Sequence, residues 1–355
     1  MANTDILFSR EGALGQITLN RPKALNALTH GMCASILGQL QEWARDSEVR
    51  AVLIDAAPGR AFCAGGDLHA IYESGRKHDG TAQAFFTTEY RLNAAVKHFP
   101  KPYVALIDGI AMGGGVGVSV HGSHRVASEN ALFAMPETGI GLFPDVGGSY
   151  FLPRLPGELG MYLALTGARI GPADMIYAGI ATHFIPAAKF PAIAPRLSEG
   201  EPVDSLLGSM QEQPGPALLV DHRAVIDRLF SASSMEAVMK GLHEEGEWGK
   251  ETASLLRERS PTSLKLTFRQ MREGRNLDFD SCMRMEYRLT NRALEGNDFY
   301  EGVRVTLIDK GKRPHWQPPT LEAVSDAAIA PFFVTLGEQE LVVNGQIGTE
   351  PPHQR

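Results

Sequence analysis

The chain has 355 residues, 43% of them hydrophobic and 21% charged, and a net charge of −7. That length buries a sizeable core as one large domain or two ordinary ones, and an acidic balance without a basic stripe argues against a nucleic-acid partner. Cys33, Cys63 and Cys282 stand far apart without a C-x-x-C pair, which argues against a disulfide framework or a structural zinc.

The N-terminal "MANTDILFSREG" has no basic segment leading into an apolar one and is not rich in Arg and Ser. No run of about eighteen apolar residues follows. The expectation is a cytoplasmic protein with no membrane partner. "DILFSR" and "GQITLN" read as a hairpin turned by the glycines of "EGALG", with Pro22 ending the second strand. "THGMCASILGQLQEWARD" reads as an amphipathic helix. Thr29 is its N-cap, and Met32, Ile36, Leu40 and Trp43 share one face. "AVLIDA" and "YVALID" read as buried strands, separated by the loop "APGRAFCAGGDL" and a helical "TAQAFFTTEYRLNAAVKHF". Near-continuous apolar strands alternating with helices imply parallel units covered on both faces.

Short strands "HRVAS" and "ALFAM" come next, then a glycine- and proline-rich loop, "PETGIGLFPDVGG", and two helical stretches. "PAAKFPAIAPRLSEGEP" reads as a linker. The chain beyond it is mainly helical, and its last thirty or so residues carry little signal. The expected division is a core over 1–200 and a helical C-terminal region over 201–355.

"LIDGIAMGGGVGVSVHG" carries six glycines and no acid after Asp108. Gly113 to Gly115 follow a strand and open a helix, where unpaired N–H groups suit an oxygen that becomes negative. The dinucleotide pattern G-x-G-x-x-G, the phosphate loop ending in G-K-[ST] and the elbow G-x-S-x-G all fail on the residues present. Ser119 therefore reads as a helix residue. A second glycine loop, Ala64-Gly65-Gly66-Asp67-Leu68, also follows a strand, so two neighbouring loops could each offer one N–H.

"AFCAGGDL", then "DGIAMGGGVGVSVHG", then "FAMPETGIGLFPDVGG" resemble the crotonase (enoyl-CoA hydratase/isomerase) superfamily in order, spacing and wording. The likeness continues through "ALTGARIGPADMIYAGIATHFI", and "EYRLTNRALEGNDFYEGVRVTLIDKGKRPHWQP" is similar to family text as well. The resemblance implies an α/β fold: a crotonase-like ββα spiral core with a helical C-terminal region. It implies an acyl-CoA substrate and an oxyanion hole from the N–H groups of Gly66 and Gly114. Gly66, Asp67 and Leu68 are expected against CoA, with Asp67 an N-cap rather than a catalyst.

Hydratases of the superfamily carry a glutamate three residues after the oxyanion glycine; here that residue is Gly117. The second hydratase glutamate corresponds to Glu137, and eight residues on stands Asp145. "SVHGSHRVASENALFAMPETGIGLFPDVGGSYFLPRL" is similar to the 3-hydroxyisobutyryl-CoA hydrolase branch, whose catalytic pair matches Glu137 and Asp145. Glu89 matches a position that contacts the acyl portion. The implied reaction is hydrolysis of a short 3-hydroxyacyl-CoA, with Glu137 as nucleophile or general base; the alternative is a hydratase or isomerase using Glu137 alone. No metal or cofactor is expected, CoA being part of the substrate. A homo-oligomer is left open. Arg21 and Lys23 are candidates for CoA phosphates, and His121 and His124 read as structural.

Overall fold

The computed structural model describes residues 4–343. Nine strands form two sheets. β1 (Ile6–Glu11) and β2 (Leu14–Leu19) pair antiparallel as the predicted hairpin. β3 (Ala51–Ala56), β5 (Tyr103–Ile107), β7 (His124–Ala127) and β9 (His183–Phe184) extend β2 in parallel, giving a six-stranded sheet. β4 (Ala61–Cys63), β6 (Ile110–Met112) and β8 (Leu132–Ala134) form a parallel sheet of three. From β3 onward successive strands alternate between the sheets, so each turn of the chain adds one strand to each. That is the expected spiral.

Four helices matter most to the site. α1 (His30–Arg45) starts where the Thr29 side chain accepts from the Met32 N–H at 3.2 Å. Met32, Ile36, Leu40 and Trp43 are buried as their spacing requires. α2 (Leu68–Lys77) starts at Asp67, whose side chain accepts from the Ala70 N–H. α3 is Thr81–Lys97, and α4 is the single turn Gly114–Gly117.

The strands read as continuous apolar runs because both sheet faces are covered. Val52 and Ile54 point into the main core with Tyr103, Ala105 and Ile107. Leu53, Val104, Leu106 and Val126 point the other way, into a second cluster closed by Ile193, Leu197, Leu206 and Leu207. This corrects the linker reading of 186–202. The segment forms a 3-10 turn, Ala187–Ala192, and a helix, Ile193–Ser198, and it caps the outer face of the sheet. Proline and alanine mimic a linker in composition, yet Ile193 and Leu197 are fully or almost fully buried. C-terminal helices, including Pro261–Gly274 and Phe279–Ala293, pack into the same main core as the spiral.

The two sheets bring the glycine loops together. β4 and β6 pair in parallel, Ala61 with Ile110 and Cys63 with Ala111, so the loops that leave their ends lie side by side. Gly65 (φ +116°) and Gly113 (φ +47°) turn the chain through conformations that a side chain disfavours. Gly115 packs directly on β4: a Cβ there would lie 2.2 Å from the Cys63 carbonyl oxygen. Gly115→Ala is expected to lower unfolding free energy by about 2–3 kcal/mol, because backbone on both sides must shift to admit the methyl. Urea denaturation beside the parent chain measures it.

Candidate active site

A cavity of about 270 Å³ opens between the glycine loops, α3 and the loop after β8. Gly66, Gly114, Glu89, Glu137 and Asp145 all line it. The structure thus gathers in one place five residues singled out across eighty positions of sequence. Leu68 lines it too. Asp67 does not; its carboxylate caps α2 and accepts from Arg21 Nη2 at 3.2 Å. Arg21 also donates to the Ala27 carbonyl at 2.6 Å and pairs with Asp5, so its guanidinium is committed to holding this loop rather than open to a phosphate.

Each glycine presents a free N–H for a local reason. Leu28 and Gly66 form a parallel bridge in which Leu28 donates to the Gly65 carbonyl and Asp67 donates to the Leu28 carbonyl. Alternation along an extended chain turns the Gly66 N–H the other way, and no described residue accepts it. Gly114 is the first residue of α4, where an N–H has no partner within the helix.

Glu137 begins a 3-10 turn, Glu137–Ile140, and is buried with Oε2 unpartnered. Asp145 accepts from the Tyr90 hydroxyl at 2.8 Å, and that oxygen lies 2.6 Å from Thr290 Oγ1. Burial, opposed in part by the Tyr90 bond, raises the Asp145 carboxyl to about 6. Burial and then the neighbouring Asp145 push Glu137 well above the carboxylate range. Glu89 is raised likewise by burial, then by Asp145 and Glu137.

The sequence reading passed over a fourth acid, Glu286, on the helix Phe279–Ala293. It is fully buried and accepts the Gly147 N–H at 2.8 Å, the Ser149 N–H at 2.9 Å and the Ser149 hydroxyl. Burial raises it to about 8 in spite of these donors. A signal was present. Cys282, Met283, Glu286, Leu289 and Thr290 share the buried stripe of one amphipathic helix, and an acid there needs partners. Tyr90 was missed too, although it stands one residue from Glu89.

The loop carrying Asp145 is held under strain. Val146 is β-branched and adopts φ +49°. Its carbonyl accepts from His121 Nε2 at 2.7 Å, which fixes the proton on that nitrogen. Burial lowers His121 to about 4, so the ring is neutral at pH 7. His124 bonds Asp204 instead, so the two histidines do not converge. Gly117, where hydratases would place an acid, faces Asn93 and Val146: a Cβ there would lie 2.5 Å from Asn93 Nδ2 and 2.8 Å from Val146 Cβ.

The spiral of strands and this cavity define an acyl-CoA enzyme of the crotonase class, and residues 14–333 match the enoyl-CoA hydratase/isomerase family, to which the chain belongs. Within it, the chain is 50% identical to the mitochondrial 3-hydroxyisobutyryl-CoA hydrolase of Xenopus tropicalis, over 95% of this chain and 90% of that protein. It is 45% identical to the human protein of the same name, over 96% and 91%. Among solved structures, a carnitinyl-CoA dehydratase from Mycobacterium thermoresistibile superposes with a TM-score of 0.92 at 40% identity, covering 97% of this chain and all of that one. An enoyl-CoA hydratase from Rhodobacter sphaeroides gives 0.89 at 39%, covering 95% and 99%. These relatives overturn the cytoplasmic expectation: the hydrolases are named as mitochondrial proteins. The features of the first dozen residues do not decide the compartment.

The buried acids couple stability to pH. Asp145 binds its proton more tightly folded, at about 6, than at its ordinary 3.8. The stability it contributes is therefore full below about pH 4 and is lost as pH rises through 6. Asp145→Asn carries no such charge. Its stability relative to the parent is expected to rise by about 3 kcal/mol between pH 4 and pH 7, read from denaturant midpoints across that range.

Proposed function

We propose that the chain hydrolyses the thioester of a short 3-hydroxyacyl-CoA, with 3-hydroxyisobutyryl-CoA the leading substrate. The observation that carries this reading is the convergence of Glu137, Asp145 and two free N–H groups on one cavity, while Gly117 has no side chain at the position where hydratases carry an acid. Water addition across a double bond relies on two carboxylates placed across it. Thioester hydrolysis needs one reactive carboxylate and a cradle for the carbonyl oxygen. The names of the relatives at 45–50% identity point the same way.

In this reading the thioester oxygen sits between the N–H groups of Gly66 and Gly114, which form the oxyanion hole. Two routes lead to the same products. Glu137 attacks the carbonyl carbon, the C–S bond breaks, CoA leaves as thiolate and takes a proton, and water then opens the mixed anhydride. Alternatively, Glu137 takes a proton from a water that attacks directly, and returns it to the departing thiolate. Either way the unpartnered Oε2 of Glu137 is the working oxygen. Asp145, oriented by Tyr90, holds the water or the 3-hydroxyl. CoA departs as product, and no cofactor enters the chemistry.

The cavity is closed on one side by the C-terminal region. Thr306 and Leu307 line it from a π-helical turn, Arg304–Ile308, a distortion that recurs at functional sites. Leu307 and Ile308 remain partly exposed there, where an acyl-CoA chain would pass.

The deciding assay sets free-thiol release from 3-hydroxyisobutyryl-CoA beside loss of the conjugated double bond of crotonyl-CoA. Thiol release without change in crotonyl-CoA is expected; the reverse would make the chain a hydratase. Glu137→Gln should reduce thiol release by at least about a thousandfold while acyl-CoA still binds, since its amide can neither attack nor accept the proton. Gly117→Glu restores the hydratase side chain, yet should lower the melting temperature and give no crotonyl-CoA hydration, because Asn93 and Val146 already occupy that volume.

A further inference from the structure

The hydrolase reading leaves Glu89 without a chemical task, and the inference drawn here rests on that reading. Glu89 lies on α3 in the cavity wall and is 2% exposed. Its Oε1 has no hydrogen-bond partner among the described residues. That oxygen stands over the oxyanion glycine: a Cβ on Gly114 would lie 2.6 Å from it. An ionised carboxylate in this place would repel the very charge that the two N–H groups are placed to gather. It would also attract those N–H groups to itself, and neither bonds it. A neutral acid has one O–H to give, and no described residue bonds Oε1.

We propose that Glu89 acts as a neutral carboxylic acid, donating its O–H to the thioester oxygen as a third donor beside the N–H groups of Gly66 and Gly114. No bond to Glu89 forms or breaks in the reaction. Its proton stays on the carboxyl while the carbonyl oxygen gains and then loses negative charge, and the proton the thiolate takes comes from water.

The surroundings favour the neutral form. Facing Glu89 are Glu137, Asp145 and, from the helix Phe279–Ala293, Glu286, all of them acids. The thiols of Cys33 on α1 and Cys63 on β4 face it as well; burial pushes Cys63 up to about 12 and Cys33 likewise upward, so both are neutral neighbours. Two basic groups beside this part of α3 make exposed contacts: His30, on α1, bonds Thr88, and Arg91, on α3, donates to the Val342 carbonyl. Burial, reinforced by the three acids, holds the Glu89 carboxyl well above its ordinary range. A carboxylic acid kept neutral by an apolar site is an effective oxyanion donor in principle.

The test is kcat for thiol release from 3-hydroxyisobutyryl-CoA between pH 5 and pH 10, in the parent chain, Glu89→Gln and Glu89→Ala. The parent should lose activity at the alkaline end as Glu89 ionises. Glu89→Gln keeps a donor that cannot ionise; it should run about tenfold slower at the optimum and lack the alkaline fall. Glu89→Ala should drop about 10²–10³-fold throughout. A Glu89→Gln variant that retains the alkaline fall, or is as slow as Glu89→Ala, overturns the assignment and leaves the hydrolase reading standing. A parent chain that releases no thiol at any pH overturns both. If Glu89→Ala does not fold, the Glu89→Gln profile alone decides.

Discussion

Four carboxyl groups, Glu89, Glu137, Asp145 and Glu286, are buried around one cavity, and no described lysine or arginine forms an ion pair with any of them. Two unit charges 4 Å apart repel by about 4 kcal/mol even at an effective dielectric of 20, so the four cannot all be ionised together. The hydrogen bonds decide where charge rests. Glu286 accepts three donors and Asp145 accepts Tyr90, whereas Glu89 and Glu137 each keep a buried oxygen with no donor. Glu89 and Glu137 are thus the least stabilised as anions. A carboxylate that ionises there has little solvation to lose before it reacts.

The same bonds make the site a product of the whole chain. Glu286 reaches across 139 and 137 residues of sequence to hold the N–H groups of Gly147 and Ser149. His121 reaches across 25 to hold the carbonyl between them and Asp145. The strained φ of Val146 persists because the peptide group after it is held at both its carbonyl and its N–H, and the Asp145 carbonyl before it accepts from the Gly148 N–H at 2.7 Å. The helical C-terminal region therefore holds the loop that carries Asp145. Two of its residues, Thr306 and Leu307, also supply part of the cavity wall.

What the sequence showed was whatever is local. Strand faces, the α1 stripe, the Thr29 cap and both glycine loops rest on spacings of a few residues, and these fell where the pattern put them. Glu137 and Asp145 were visible because they share one motif-bearing loop. Glu286 and Tyr90 were not, because their roles come from contacts with partners 55 to 200 residues away that no spacing rule encodes. The stretch read as a linker misled through composition: Ile193 and Leu197, four apart, with Phe190 beside them, outweigh its prolines once a bare sheet face needs covering. The last thirty residues were silent for a related reason. Ile329, Phe333 and Leu341 are buried, but from short turns that carry no period.

Gly117 ties these observations to the choice of reaction. Losing an acid at that point would, by itself, leave a hole. Here Asn93 from α3 and Val146 from the Asp145 loop fill it, so the substitution is built into the packing of two other elements. Val146 reaches that space from a strained conformation, and the same turn of chain carries Asp145 to the hydroxyl of Tyr90. One loop conformation therefore closes the side on which a hydratase keeps an acid and delivers a new acid on the side of Glu137. A side chain at 117 would press on Asn93 and Val146, and so on the turn that carries Asp145 to Tyr90. The preference for hydrolysis over hydration is in this sense a packing constraint before it is a matter of catalytic groups.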